Sequence, residues 1–439
     1  MTRLKSVVST GTQVWDLLDY FAPGGDTMSQ LLVGIDVSLR SHHVQFMDGN
    51  GRDLTSFAIS NDRTGADTLI ERMLDTATKE KSESLRIGME ATSNLGWHLA
   101  HYLNRELKNY EPNFQSQVYV LNARKVARFK KGYDTLPKND RVDAWVIADH
   151  LRFGRLPYEM KDTIQYEALQ RLTRTRFHLM QNIKRDKTYF LNQVFLKFSG
   201  MRQDNPFSNT FGSTSLAVIQ ELEPEQIMTM SMEELIQFLQ DKGKNRFENP
   251  EEIAAYLKKI ARSSYRLDKA MADPVNISLA TTLSVIKHLE SEVKKLDKEI
   301  AKIMKGISQT LTSVKGIGPV FAAGIIAEIG GIERFRHHNL LAKYAGLVWS
   351  QNQSGEFEAE ETSRVRTGNK YLRYYLIQAA DAIRKHDAEY KAFYQKKKDE
   401  VPKHKHKRAL VLTARKLVRL VFMLLKTNKL YTPPERRNP

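Results

Sequence analysis

The chain has 439 residues, which exceeds what one hydrophobic core usually fills, so we expect two or three domains. The absence of cysteine excludes disulfides, thiolate zinc sites and cysteine nucleophiles, and no apolar run approaches the roughly 20 residues that cross a bilayer. The net charge of +17 predicts a polyanionic partner, with nucleic acid first and a membrane surface or the ribosome as alternatives.

The first 27 residues lack the hydrophobic core and the small-residue cleavage site of a secretory signal. We therefore expect residues 1–27 to be a disordered extension, with Met28 as an alternative start. Together with the absence of cysteine, this fits a cytoplasmic protein.

A continuous apolar run from Leu31 to Ile35 leads to a single carboxylate, Asp36. The run predicts a buried strand, and His43 to Met47 predicts its hairpin partner. A lone carboxylate in a buried strand is costly unless a cation or hydrogen bonds compensate it. Asp36 is therefore either a turn residue at a strand end or a metal ligand in a nuclease-type sheet.

The next elements continue an α/β pattern. Leu54 to Ser60 predicts a third strand, and Thr64 to Lys79 has the apolar spacing of an amphipathic helix. Leu85 to Met89 predicts a fourth strand that ends at Glu90, and Val118 to Leu121 predicts a fifth. A second carboxylate therefore stands at the end of a second buried strand.

Asp140 and Asp143 are three residues apart in a segment with helical spacing, which places both carboxylates on one helix face. Their repulsion is unfavourable unless a shared divalent cation offsets it. The alternative is a solvated helix face.

Asp36, Glu90, Asp140 and Asp143 have the chain order of a ribonuclease H-like mixed-sheet domain, which we place at residues 28–160. Such a site needs acidic ligands because Mg²⁺ or Mn²⁺ takes oxygen donors in phosphoryl transfer.

Residues 161–310 are predicted to form a helical linker. Asp162 to Ser199 predicts a basic helix, either a nucleic-acid track or a solvated face, and residues 200–250 predict an insertion or small helical subdomain. Within 284–305, apolar residues from Ile286 to Ile303 follow a 3-4 spacing typical of a coiled coil. This seam pairs either with another chain or with a helix of the same chain, such as Ile253 to Leu267.

Residues 311–430 are predicted to form a mainly helical domain, followed by a tail at 431–439. The turn at Lys315, Gly316 and Gly318 is typical of a helix-hairpin-helix whose amides approach a phosphate, although a tight turn is the alternative. Ser354 follows in a polar loop, with Arg364, Arg366 and Lys370 after it. A serine beside arginines can attack a phosphodiester, and those cations can bind DNA.

These segments resemble the DEDD transposases of the insertion-sequence one-ten family, which are related to the pilin-gene inverting recombinases. The segments GIDVS, GMEATSNLGWHLAHYL and KNDRVDAWVIADHL resemble its amino-terminal domain. VKGIGPVFAAGIIAEIG, TGNKYLRYYLIQAA and HKRALVLTARKLVRLVF resemble its carboxy-terminal transposase domain. The resemblance covers about residues 30–195 and 305–430, in the family's order.

The resemblance implies a RuvC-like domain whose acidic tetrad binds Mg²⁺, joined by a coiled coil to a domain with a nucleophilic serine. It implies DNA cutting and rejoining through a covalent serine–DNA intermediate, guided by a structured bridge RNA. It places the tetrad on Asp36, Glu90, Asp140 and Asp143 and the serine on Ser354, with Ser350 and Ser363 as nearby alternatives. The heptad seam favours a homo-oligomer, either a dimer or a tetramer.

The long amino-terminal extension and the acidic stretch from Glu356 to Glu361 depart from the family pattern. The competing interpretation is an RNase H-like hydrolytic nuclease of the Holliday-junction type, in which water attacks and Ser354 is structural. A third is a non-catalytic nucleic-acid scaffold, against which the presence of all four acids argues.

Overall fold

In the computed structural model, the described residues are 29–92, 94–110, 114–160, 164–349 and 367–433, with the backbone of two short strands at 353–354 and 357–358. The chain divides into two compact units, residues 1–163 and 164–439. Within those described ranges, no helix combines the length and apolar character that a membrane crossing requires.

The first unit contains a five-stranded mixed sheet in the order β3-β2-β1-β4-β5. Its strands are β1 (Gln30–Asp36), β2 (Ser41–Asp48), β3 (Asp53–Ser60), β4 (Ser84–Glu90) and β5 (Gln115–Leu121). β1, β2 and β3 pair antiparallel, while β4 is parallel to both β1 and β5. The predicted ribonuclease H-like mixed sheet is thus confirmed.

Helices cover both faces of this sheet because side chains alternate along each strand. On one face, Leu31, Val33 and Ile35 pack against α1 (Arg63–Lys79) and α2 (Trp97–Glu106). On the other face, the core contains Leu32 and residues of α3 (Ala123–Lys130) and α4 (Asp140–Phe153). A short 3₁₀ helix, Leu107–Tyr110, follows α2.

α4 lies directly on the backbone of β1 because Gly34 has no side chain. A Cβ at Gly34 would overlap the carbonyl oxygen of Ala144 and the amide nitrogen of Ala148. On β4, a Cβ at Gly88 would lie 2.9 Å from a methyl group of Leu151. The two glycines therefore set how closely α4 approaches the middle of the sheet.

The second unit is built on two long helices, α5 (Ile164–Lys197) and α11 (Lys269–Met304). They run antiparallel, since Arg176 of α5 pairs with Asp297 while Lys187, further along α5, pairs with Glu290, earlier in α11. The heptad seam of α11 thus lies in a hairpin within the chain. Its partner within the chain is α5. The candidate partner that the sequence suggested was instead the segment Ile253 to Leu267.

The seam is only partly covered within the chain. Ile286, Val293 and Ile300 are buried, whereas Leu289 and Leu296 at the alternate positions are half-buried. The α5–α11 hairpin thus accounts for the heptad pattern without a second chain.

Residues 199–263 form a separate helical cluster at one end of this hairpin. It consists of α6 (Ser199–Gln203), α7 (Ser213–Glu221), α8 (Pro224–Thr229), α9 (Met232–Gly243) and α10 (Pro250–Ser263). Its apolar core includes Phe190 and Val194 of α5 and Val275 and Leu279 of α11. The polar insertion that the sequence predicts is therefore a packed helical subdomain.

The other end of the hairpin joins a second core, which is also helical. It is built from α12 (Pro319–Ile329), α13 (His338–Tyr344), α14 (Lys370–Ile383), α15 (Ala388–Asp399) and α16 (Lys405–Thr427). Two 3₁₀ turns, Leu311–Ser313 and Ile332–Arg334, and a two-stranded sheet, β6 (Gln353–Ser354) with β7 (Phe357–Glu358), complete it. The mainly helical carboxy-terminal part is thereby confirmed.

Candidate active site

Asp36 and Glu90 end two adjacent parallel strands. Ile35 pairs with Met89 in the register of β1 and β4, so the next residue of each strand is a carboxylate. Alternation places Asp36 on the same sheet face as Gly34, and Glu90 on the same face as Gly88. That face is the one covered by α4, and both carboxylates are half-buried there.

α4 brings the other two carboxylates to the same edge. Asp140 and Asp143 lie in its first turn, which begins after Asn139, whose side chain accepts a hydrogen bond from the amide of Val142. A carboxylate in the first turn is favoured by the helix dipole. The close packing of α4 on β1 then brings Asp140 and Asp143 toward the ends of both strands.

The four groups interact electrostatically. Burial and the charges of Asp143, Asp140 and Glu90 together raise the pKa of Asp36 to about 6, against the opposing effect of Lys130. Burial and the charge of Asp143 also raise the pKa of Glu90. Neighbouring carboxylates that resist ionisation together are typical of a site that receives a cation.

Two basic side chains complete this edge. Nζ of Lys130, the last residue of α3, lies 2.5 Å from Oδ1 of Asp143. His43 of β2, which pairs with Asp36 in the strand register, has its Nδ1 3.7 Å from Oδ2 of Asp140. Asp143 therefore forms an ion pair, and an imidazole stands beside the exposed Asp140.

The carboxylates fit a hard divalent cation in donor type and in the repulsion that a cation relieves. Among the described residues, however, no three His, Asp or Glu side chains are arranged to hold an ion as they stand. Lys130 already engages one oxygen of Asp143. A metal bound by Asp143 would therefore share this carboxylate with Lys130 or displace the Lys130 ammonium group.

The predicted DNA contacts of the second unit lie at two helix starts. Lys315 is exposed, and Gly318 caps α12, which begins at Pro319. Only a single 3₁₀ turn precedes this loop, and not the short α-helix that a helix-hairpin-helix would have. Gly316 has φ +104°, and a Cβ there would lie 3.0 Å from the backbone of Ala382 in α14, so close packing explains this glycine.

Lys370 is the exposed first residue of α14. Ser354 ends β6, and its backbone pairs with Phe357 of β7. Ser350, Ser363, Arg364 and Arg366 fall outside the described residues.

Three cations of the basic helix α5 are ion-paired with acids on other helices. Arg174 binds Glu328, Arg176 binds Asp297, and Lys187 binds Glu290. These three charges are partly neutralised, so they are less available to bind phosphates.

Sequence reasoning did not single out Lys130 or His43. A signal was available for each of them. Lys130 belongs to the basic stripe of α3, and His43 begins the hairpin partner of the strand that carries Asp36. Which of several cations would face the carboxylates depends on the packing of α3 against α4.

Comparisons with known proteins identify related families. Residues 33–197 match a family described as a transposase, of the DEDD type named for IS110, and residues 308–395 match the transposase family IS116/IS110/IS902. The chain is also 24% identical, over 92% of its length and 96% of the relative's, to an uncharacterized 44.8 kDa protein of insertion element IS116 from Streptomyces clavuligerus.

Two solved structures of Thermus thermophilus RuvC, one in complex with a Holliday junction substrate, are similar at 13% identity and a TM-score of 0.23. They cover 30% of this chain and 99% and 100% of their own. At that TM-score they add nothing to the fold assignment, which rests on the sheet itself.

Proposed function

Because the chain belongs to the IS110 family of transposases, which are DNA-cutting enzymes, we propose that it cuts and rejoins DNA through a covalent serine–DNA intermediate. The nucleophile in this proposal is Ser354, and the acidic site is Asp36, Glu90, Asp140 and Asp143. Its partners are the element ends, the target DNA and a structured bridge RNA. It acts as a homo-oligomer in the prokaryotic cytoplasm.

The observation that supports the proposal most strongly is the convergence of four carboxylates from β1, β4 and α4. The charges of the other three carboxylates, in addition to burial, raise the pKa of Asp36, which supports a common site for the four side chains. The four carboxylates would hold Mg²⁺ or Mn²⁺ beside the scissile phosphate. When bound, such a cation would supply charge that stabilises the phosphoryl transition state.

In the proposed reaction, the Ser354 hydroxyl loses its proton and its oxygen forms a bond to the scissile phosphorus. The bond from phosphorus to the leaving deoxyribose oxygen breaks, and that oxygen takes up a proton. Rejoining reverses these steps on a new partner, since a deoxyribose hydroxyl attacks the phosphoserine and the serine oxygen leaves. No phosphodiester is lost to water.

Lys130 and His43 have supporting roles in this proposal. Lys130 holds Asp143 in place until metal and DNA bind, and it then offers its ammonium group to a phosphate oxygen. His43 stands beside Asp140 and limits that side chain's freedom.

A denaturing gel tests the proposal. Wild type and Ser354→Ala are incubated with Mg²⁺, labelled element-end and target DNA, and RNA transcribed from the flanking region. We expect a labelled protein–DNA adduct with wild type that is absent with Ser354→Ala. Ser350→Ala and Ser363→Ala serve as matched controls and should keep the adduct.

The other outcomes of this gel are equally informative. If wild type and Ser354→Ala produce equal amounts of nicked DNA and no adduct, the protein is instead a hydrolytic nuclease. If the adduct is lost in Ser350→Ala or Ser363→Ala but kept in Ser354→Ala, the nucleophile is that other serine. Omission of the RNA tests guidance, because an adduct of equal yield without RNA would contradict the bridge-RNA proposal.

A further inference from the structure

Four basic residues form a cluster on α13 and α16, in the second unit and distinct from the sites described above. They are His337, His338, Arg415 and Arg419, and we call them the cationic cluster. Arg415 and Arg419 are four residues apart on α16 and thus share one helix face. His338 begins α13, and its ring lies 6.5 Å from that of Phe422, one helical turn beyond Arg419.

Two buried polar atoms inside the cluster have no hydrogen-bond partner among the described residues. Arg415 donates from Nη2 to Oδ1 of Asn339 at 2.5 Å, but its Nη1 is buried without a hydrogen-bond partner. Nδ1 of His338 is likewise buried and unpaired. In the part of the chain that the structure describes, no Asp or Glu forms an ion pair with Arg415 or Arg419.

Two neighbouring cations on α16 do have ion-pair partners. Lys416 pairs with Glu389 at 2.6 Å, and Arg408 pairs with Glu400 at 3.1 Å. Carboxylates thus neutralise the positions beside the cluster but leave the cluster itself uncompensated. Within the described ranges, Lys426 on the same helix also has no ion pair but is exposed, whereas Arg415 is half-buried with a buried Nη1 that has no partner. This buried donor points to a ligand that supplies an acceptor and a counter-charge.

The local field of the cluster is strongly positive. Burial and the charges of His337, Arg415 and Arg419 together lower the pKa of His338 to about 4. Burial and Arg419 also lower the pKa of Arg415. A buried guanidinium with a free N–H is costly unless an acceptor is present, and an anion would provide both the acceptor and the charge.

Phosphate is the anion that fits this arrangement best. A guanidinium presents paired donors that match the geometry of phosphate oxygens, and exposed Arg419 beside half-buried Arg415 can grip one group from two sides. The chain carries a net charge of +17 and belongs to a transposase family, so phosphates reach this surface as part of nucleic acid.

We propose that the cationic cluster is a binding site for a backbone phosphate of nucleic acid, contacted by Arg415 and Arg419. This inference goes beyond the proposed function because it assigns a contact that serves binding and takes no part in strand cleavage. The contact fixes the register of the nucleic acid on the second unit and reads no bases.

Fluorescence anisotropy in the absence of divalent metal tests this site apart from catalysis. Wild type, Arg415→Gln and Arg419→Gln are titrated with a labelled DNA duplex and, in a second arm, with a labelled single-stranded RNA, over a series of KCl concentrations. The matched control is Lys426→Gln, which removes one exposed charge from the same helix outside the cluster.

We expect each arginine variant to weaken binding about tenfold and to reduce the slope of log K against log salt by about 0.9 for duplex DNA, or by about 0.7 for the single strand. Lys426→Gln should change affinity less than about twofold. A loss confined to one arm identifies DNA or RNA as the source of the phosphate.

Two results would overturn the inference. One is unchanged binding by both arginine variants in both arms, and the other is an equal loss in Lys426→Gln, which would indicate only general electrostatic attraction. Because Arg419 is exposed, Arg419→Gln should fold normally and carries the test if Arg415→Gln does not. The gel for Ser354 can fail without affecting this assay, so the two proposals are tested separately.

Discussion

The carboxylate of Glu328 on α12 is buried and accepts two hydrogen bonds from the guanidinium of Arg174 on α5, Nε to Oε1 at 2.7 Å and Nη2 to Oε2 at 2.9 Å. Nδ2 of Asn369 donates to the same carboxylate at 2.7 Å, while Oδ1 of Asn369 caps the first turn of α14. One buried charge therefore joins three helices of the second unit.

Arg174→Met should destabilise the protein by about 3 kcal/mol, because it leaves the Glu328 carboxylate buried without its cation. Urea unfolding monitored by circular dichroism measures this loss. The matched control is Lys187→Met on the same helix, whose ion pair with Glu290 is more exposed and should be worth about 0.5 kcal/mol. Equal losses in the two variants would show that the buried pair has no special weight.

Gly34→Ala should disrupt the acidic site from a distance, because the added methyl group would displace α4 and with it Asp140 and Asp143. We expect a loss of about 3 kcal/mol in stability, together with the loss of any Mg²⁺-dependent rise in the thermal midpoint. Gly49→Ala is the control, since a Cβ there lies 3.9 Å from its nearest neighbour. A Gly34 variant with wild-type stability would contradict the close packing of α4.

In metal-free protein, Asp36→Asn should raise stability at pH 7.5 but have little effect at pH 4. The pKa of Asp36 is raised to about 6 in the folded protein from 3.8, so the unfolded chain loses the proton first and wild-type stability falls as pH rises between these values. After allowance for solvent screening, the gain is on the order of 1 kcal/mol. Urea unfolding in EDTA at the two pH values measures this gain in stability. A gain at pH 4 but not at pH 7.5 would contradict a raised pKa of Asp36.

Lys130→Met should tighten Mg²⁺ binding by about fivefold, because it removes the cation that competes for Asp143. Titration of Mg²⁺ against the thermal midpoint, without DNA, measures the apparent affinity. Lys131→Met removes an exposed charge one residue later and should have a smaller effect. Weaker Mg²⁺ binding by Lys130→Met would mean that Lys130 organises the site and does not compete with the metal.

Much of the first unit could be predicted from sequence because its signals are local. Apolar runs mark β1 and β4, and the carboxylates that end them are adjacent in sequence to those runs. The approach of α4 could not be read in this way. It depends on Gly34 meeting Ala144 and Ala148, residues more than a hundred positions away, and no periodicity reports such a contact.

The second unit was harder to predict for the same reason. The 3-4 spacing of α11 correctly indicates a packed helix seam, but a spacing does not name the partner. The basic residues of α5 suggest a surface for nucleic acid, yet Arg174 and Arg176 lie beside acids contributed by α12 and α11. Whether a cation is free or paired depends on tertiary contacts that composition does not contain.

The α5–α11 hairpin also sets the distance between two helical cores. At about 1.5 Å per residue, the 34 residues of α5 span about 50 Å between the helical cluster at one end and the carboxy-terminal core at the other. Because the seam repeats every seven residues, removing one heptad from each helix would keep the packing and shorten the spacing by about 10 Å. The length of this hairpin thus fixes the separation of the two helical cores.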